Sequence, residues 1–591
     1  MNGILNKFRK RNIQTNICEF VLVIFVVAVS ACLIFGLIIN YLTLNRAVKK
    51  FFAESRLPSL FIETDKLTSE DESFLSEHFE FSKRYSFESD FTVNEKTYSS
   101  RFLVSNGKVS VPYVIEGSKG NGCFVDAKFA KKYRLGVNYS KIGINYTLNG
   151  ETKKIEFTVI GTIAMAEDFV SGDECLIFID ENVFKSTIKA YFAEAGEEQI
   201  KIDYNQVLIK SSVGENEKQI ISAHFNLPER SVFKMYEPSE LSSFKQAQKE
   251  VKIAKQMTYS FSLLFVIVSI LVIVSAIGQL IFKEKYNIGL LKSLGFSNKD
   301  LIFNYCGYGV FVCLVGAVIG LAVSPLIIPN ITFETYDKMF NLPRDEVSLT
   351  CPVWFVVLAI FVAIVIGFLS ALFVCLKFTH KTPKECMSAK PKSKLKSRAK
   401  SGGKSAKVSS IISAPIRNMK INLSRTIMSV VGVFGSSVLC IIGFGTKTAF
   451  AKTEAVKDAM TLEMFSNVFK GFSVVLIGLV LVILLVQIFK EREREMALLR
   501  VHGEEYLKIW LSVLFEMTFI CLVGFAAASV LSVPIYAGVK AMFGIGGGLS
   551  LGILSYLKTF LIVFLTDLIV ASASIYKIYK LDLAGATKFS E

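Results

Sequence analysis

QLIFKEKYNIGLLKSLGFSNKDLI (279–302) and QIFKEREREMALLRVHGEEYLKIW (487–510) are two versions of one sequence, 208 positions apart. Aligned without gaps, Gln279 meets Gln487, Leu290 and Leu291 meet Leu498 and Leu499, Lys292 meets Arg500 and Gly295 meets Gly503. Each copy is charged, free of proline and flanked on both sides by long apolar runs. A duplicated charged connector between two apolar segments implies a duplicated larger unit and a shared job for the connector.

The runs themselves decide the fold class. Apolar stretches of roughly 20 residues, the length that crosses a ~30 Å hydrocarbon core, fall near 18–42, 258–282, 303–328, 352–376, 425–447, 467–489, 509–535 and 553–577. Hydrophobic residues make up 52% of the chain and mean hydropathy is +0.46, values that a soluble protein does not need. The expected fold is integral-membrane and α-helical, with about eight transmembrane helices in two repeated four-helix units. The first run is read as a retained span, because it is too long for a signal peptide and no small-residue cleavage site follows Tyr41.

Charge sets the expected orientation. Lys7, Arg9, Lys10 and Arg11 precede the first span and favour a cytoplasmic start. Residues 43–257 hold 29 Lys and Arg against 31 Asp and Glu, so the rest of this +16 chain carries +18. That excess lies in the N-terminus, the two repeated connectors and the segment 377–420, as the positive-inside rule requires. Both termini are therefore expected in the cytoplasm, and the high pI does not indicate nucleic-acid binding.

The expected organisation is a cytoplasmic N-terminus and span over 1–42, an extracytoplasmic α+β domain with stalk helices over 43–257, and three spans over 258–378 with the first connector at 283–302. A basic linker (379–424), four spans (425–578) with the second connector at 490–508, and a cytoplasmic tail (579–591) complete it. Alternating patterns in GINYTLNG (143–150), KIEFTVIGTIA (154–164) and ECLIFID (174–180) predict strands, and Asn149-Gly150 predicts a tight turn. DAKFAKKYRL (126–135) predicts a short helix. SELSSFKQAQKEVKIAKQM (239–257) predicts a helix running straight into the second span, with Leu241, Phe244, Gln248 and Val251 on one stripe. The linker SAKPKSKLKSRAKSGGKSAKVSS (388–410) has a disordered, solvated composition beside the membrane lipid.

Little in the chain carries chemistry. Gly403-Lys404-Ser405 ends like a phosphate-binding loop, but the required upstream glycine position is Arg398. Eleven cysteines, mostly within spans, show no CxxC spacing. Cys123 and Cys175 lie in the external segment, where a disulfide and two free thiols are both compatible with the sequence. No metal-ligand or nucleophile–base constellation occurs, so the chain is read as a non-enzyme without a metal or cofactor of its own. Glu516 and Asp567 fall within spans, where ionisable residues are candidate intramembrane polar sites; a hydrogen-bonded, bundle-facing carboxylate is the alternative for each. Gly307, Gly309, Gly316 and Gly320 point to close helix packing in the third span.

The pattern (N/E)(I/M)(G/A)LL(K/R)xxG, preceded by KEKY (283–286) in one copy and KERER (490–494) in the other, between the second and third spans of a four-span unit resembles the FtsX/MacB-like permease superfamily of ABC transporters. The resemblance implies that each connector is a coupling helix resting on a cytoplasmic ABC ATPase, with two ATPase copies per chain, and that ATP and Mg are bound by that partner. Carried over by position, the contact stripes are Ile288, Leu291 and Gly295 in one copy and Met496, Leu499 and Gly503 in the other, each at i, i+3, i+7 on one helical face. Lys283, Glu284, Glu491, Arg492 and Glu495 would give polar contacts at the rim. Asn287 stands where the family usually has an acidic residue, and His502 where it has an apolar one. The function implied is a permease subunit in a bacterial cell membrane that exports or extracts an amphipathic substrate: a peptide, an antibiotic or a lipid-linked molecule. The alternative is mechanotransmission, in which the external domain activates a cell-wall hydrolase or senses an antimicrobial through an extracytoplasmic protein or peptide ligand.

Overall fold

The computed structural model describes residues 11, 13–14, 16–93, 96–117, 120–148, 151–168, 175–192, 202–211, 213–226, 232–339, 352–379, 382–387, 415–417, 419–420, 423–450, 460–542 and 551–580. The linker 388–410 with its Gly-Lys-Ser sequence, the Asn149-Gly150 turn and the tail 581–591 lie outside them. Within the described residues the chain forms two compact units: Leu42–Lys252 with Thr332–Thr350, and the remainder.

In the helical unit eight helices are long and apolar enough to span a membrane. They are Ile17–Glu54, Ser242–Lys283, Asn298–Met339, Val353–Thr379, Leu423–Phe450, Met460–Val501, Tyr506–Met542 and Ile553–Tyr579. Each outlasts or matches its apolar run, because a helix does not end where hydrophobicity ends; it ends where a cap or a breaker stops it. The first continues past Tyr41 and stops before Pro58. The second is one unbroken helix of 42 residues. Its stripe differs from the expected one. Ala247, Glu250, Ile253, Ala254 and Met257 are the buried positions before the span, with Gln248 exposed.

Small residues set the packing, as expected where lipid removes the hydrophobic drive between helices. In the third span, a Cβ added at Gly316 would lie 2.7 Å from Val27 Cβ and 2.8 Å from the Ile24 carbonyl oxygen of the first span. In the seventh span, Gly524 meets Val433 and the Val430 carbonyl of the fifth in the same way, at 2.8 and 3.2 Å. Gly316 and Gly524 are 208 positions apart, so the repeat read in the connectors extends through the spans. Gly309 and Gly367 face each other at similarly short range.

The other unit is built on a mixed ten-stranded sheet: β1 (Leu60–Thr64), β2 (Phe81–Val93), β3 (Lys96–Ser105), β4 (Tyr113–Gly117), β5 (Cys123–Asp126), β6 (Lys141–Leu148), β7 (Glu151–Ala164), β8 (Cys175–Asp180), β9 (Gln206–Ile209) and β10 (Phe233–Tyr236). The order is β10-β1-β9-β2-β3-β8-β5-β7-β4, with β6 against β2 and β7. Strand alternation sends Phe102 and Val104 of β3 into the main core and Leu103 into a second cluster with Ile163, Met165 and Phe178. The helix expected over 126–135 forms as Ala127–Tyr133, capped by the Asp126 carboxylate. Cys123 is a free, buried thiol. Its neighbour across β8 is Ile179, so Cys175 is four residues, roughly 13 Å, along the strand, beyond disulfide reach.

A buried cation organises one side of this sheet. The Arg84 guanidinium is bidentate on Glu167 at 2.7 and 2.8 Å and donates through Nε to Gln206 Oε1 at 2.9 Å. The Ser110 hydroxyl donates to Glu167 at 2.6 Å. Burial pushes the Glu167 carboxyl up, but the Arg84 charge and these hydrogen bonds outweigh it and hold the group below its ordinary value. A depressed carboxylate stabilises the fold above its unfolded pKa of about 4.3, and that contribution is lost as pH falls through the folded value. Arg84→Met, which strands a buried carboxylate, is expected to cost about 3–5 kcal/mol. Hydrogen exchange of β2, β7 and β9 in the full chain should report that loss at neutral pH, and a smaller difference from wild type in acid.

Candidate functional site

The two connectors end alike. After Ser293 the chain closes with Leu294 N–H on Leu290 O, Gly295 N–H on Lys292 O and Phe296 N–H on Leu291 O, at 3.1, 3.1 and 3.2 Å. After Val501, His502, Gly503 and Glu504 donate to Leu498, Arg500 and Leu499 at 3.0, 3.1 and 3.0 Å. Gly295 and Gly503 have φ of +85° and +86°. Both are the left-handed residue of a helix C-terminal motif in which the next N–H reaches back into the last turn. A Cβ on either glycine would touch nothing within 4 Å, so backbone conformation, not crowding, requires glycine there.

They begin differently. In the first copy the span helix stops at Lys283, Glu284 interrupts it and a new helix runs Lys285–Ser293. In the second, one helix of 42 residues runs from Met460 through the connector to Val501. Lys283 and Glu491 lie in these helices, and their side chains fall outside the described residues.

The expected contact stripe faces inward. Ile288, Leu291 and Met496 are buried, Met496 completely, and Leu499 is half-buried. The first helix packs on Pro383–Met387: a Cβ at Gly289 would come 2.7 Å from Met387 Cγ. The outward apolar residues are the other half of each leucine pair and its neighbours, Leu290 and Leu294 (39% and 67% exposed) and Leu498 and Val501 (42% and 58%). An i, i+3, i+7 pattern finds an amphipathic face but does not say whether the chain's own bundle occupies it.

The polar residues also turn inward. Glu284 and Arg492 occupy equivalent positions, as do Asn287 and Glu495, and in each copy the pair is bonded one turn apart. Asn287 Nδ2 donates to Glu284 at 2.6 Å, and Arg492 Nε donates to Glu495 at 3.1 Å. The carboxylate missing at Asn287 is supplied by Glu284. Arg492 goes further: Nη1 lies 3.0 Å from Glu516 Oε2 and Nη2 3.3 Å from Ser512 Oγ. Both Arg492 and Glu516 are buried, so Arg492 is an internal tether from the connector to the seventh span and not a rim residue. Lys490 makes a second tether, 2.6 Å from the buried Glu19 at the start of the first span.

Asp567 is buried in the eighth span and accepts from Thr518 Oγ1 of the seventh at 2.7 Å. Glu516 and Asp567 thus each bond to a neighbouring element, the bundle-facing arrangement. Those residues also include no cluster of three metal-ligating side chains. A carboxylate at membrane depth demands a partner; that demand was the sequence signal that could have assigned Arg492 to Glu516.

Removing one member of a buried ion pair costs about 3–5 kcal/mol, whereas replacing both is often nearly neutral. Arg492→Met and Glu516→Met are each expected to lower the thermal midpoint of the detergent-solubilised protein, and the double variant to recover most of the loss.

No curated protein matches the chain. The family model described as FtsX-like permease C-terminal matches twice, over residues 259–383 and 467–583. Each match spans one connector, the helices on either side of it and the glycine, Gly316 or Gly524, but not the helix on which that glycine packs. The chain thus carries the FtsX-like permease unit twice, and over those two segments it is similar to the FtsX/MacB-like permeases of ABC transporters.

Proposed function

We propose that the chain is a permease subunit driven by a separate cytoplasmic ABC ATPase, which binds ATP and Mg, and that two ATPase copies dock on one chain. The observation that carries this reading is the pair of identically closed connectors, each leaving an apolar pair outward: Leu290 and Leu294, Leu498 and Val501. FtsX-like permeases generally work with such an ATPase. Ile288, Leu291, Gly295, Met496, Leu499 and Gly503 then set the shape and direction of the docking helices, and the outward leucines make the contact. Arg492 passes force on the second helix to the seventh span through Glu516.

In this reading the termini are cytoplasmic, the β-containing unit is extracytoplasmic, and the membrane is that of a bacterial cell. ATP-driven approach of the two ATPases moves the connectors, and the unbroken helix Ser242–Lys283 conveys the movement outward. The output is export or extraction of an amphipathic peptide, antibiotic or lipid-linked molecule. The same continuous helix favours the second reading, mechanotransmission to a hydrolase or sensor without transport.

Pull-down from native membrane tests the docking face. Leu290→Asp with Leu498→Asp is expected to abolish recovery of an ABC ATPase while the permease elutes normally; full recovery would sink the proposal. For orientation, cysteines placed at 388–410 should resist impermeant maleimide in intact cells, and external labelling would reverse the topology.

A further inference from the structure

The first four-helix unit encloses a cavity of about 200 Å³ at membrane depth, walled by the first four spans. Its lining carries no charge and only two hydroxyls, Ser30 and Ser269. An apolar cavity of ~150 Å³ is enough to hold a benzene ring. The lining residues Leu358 and Val362, one turn apart on the fourth span, are exposed and form a lateral mouth. Phe35 and Phe355, stacked 5.6 Å apart, form part of its wall.

The second unit serves as an internal control, because its equivalent positions are filled. At an offset of 208, Ser269 corresponds to Ile477, which is buried, and Ala317 corresponds to Phe525, whose ring packs 5.5 Å from Phe560 of the eighth span. Matching Val27 to Val433 through their shared glycine contacts makes Ser436 the counterpart of Ser30. Ser436 folds its hydroxyl back on the Gly432 carbonyl at 3.0 Å. Ser30 and Ser269 do not: both are buried, and neither oxygen has a hydrogen-bond partner.

We propose that this cavity holds the end of one acyl chain of a bilayer phospholipid. The lining excludes a polypeptide, whose amides would go unsatisfied there, and the mouth opens at the depth where hydrocarbon is the surrounding liquid. This assignment needs the membrane fold only and stands whether or not the chain transports anything.

The full chain is reconstituted in vesicles of phosphatidylglycerol containing a phosphatidylcholine with a diazirine on one acyl chain, then photolysed, and the adducts are mapped by mass spectrometry. Adducts are expected on the inner lining, at Ile34 and Ile273, beside those on outward positions such as Leu561 and Leu565. Ser269→Ile and Ala317→Phe, near-copies of the second unit, should each cut the inner adducts about tenfold, the effect of ~1.4 kcal/mol, and leave the outward ones unchanged. A wild-type map confined to outward positions would overturn the proposal, and so would inner labelling that survives both substitutions. If either variant fails to fold, the other and the wild-type map still decide.

Discussion

Helix packing in this protein depends on backbone-to-backbone approach at small residues. Lipid tails solvate leucine as well as leucine does, so helices associate only where surfaces fit closely or polar groups meet. Gly316 on Val27 and Gly524 on Val433 supply the fit, and each sets a third-type helix against a first-type helix at the same height. The contact repeats in both units, and the two connectors, although they begin differently, close on the same glycine motif. In the first unit Ser269 and Ala317 line the cavity where the second has the larger Ile477 and Phe525.

Upon this common frame the two connectors are held differently. The second connector is the uninterrupted end of a span helix, and Arg492 ties it to Glu516 and Ser512 while Lys490 ties it to Glu19. The first is a separate short helix after a break at Glu284, bonded within itself through Asn287 and resting on Pro383–Met387. A displacement of the second connector is therefore carried directly by a helix and an ion pair. In the first it must pass through a joint.

The β-containing unit is stabilised on different terms, because its surroundings supply no hydrocarbon. Its strands bury apolar residues on both faces, and the Arg84–Glu167–Gln206 cluster satisfies a charge that would be costly alone. Three of its short helices start on a side-chain cap, Thr68, Asp126 and Asp180, and the one expected from the sequence, at 126–135, begins within a residue of its expected start.

Span number, the duplication, the strands near 143–150, 154–164 and 174–180, the short helix at 126–135 and the family likeness were legible in the sequence, because length, hydropathy and period are local properties of a chain; the strand Cys123–Asp126 and the helix Glu181–Tyr191 were not read from it. The glycines were legible as repeated, and their reason, a positive φ at each helix end, came from the fold. What the chain alone did not determine was which face of each connector is free. Ile288, Leu291 and Met496 have the spacing of a docking stripe, yet their own bundle covers them, leaving Leu290, Leu294, Leu498 and Val501 outward. Arg492 reads as a surface charge until Glu516, 24 residues later, folds back beside it. Periodicity states that a helix has two faces; only the neighbours brought up by tertiary packing decide which of them is already occupied.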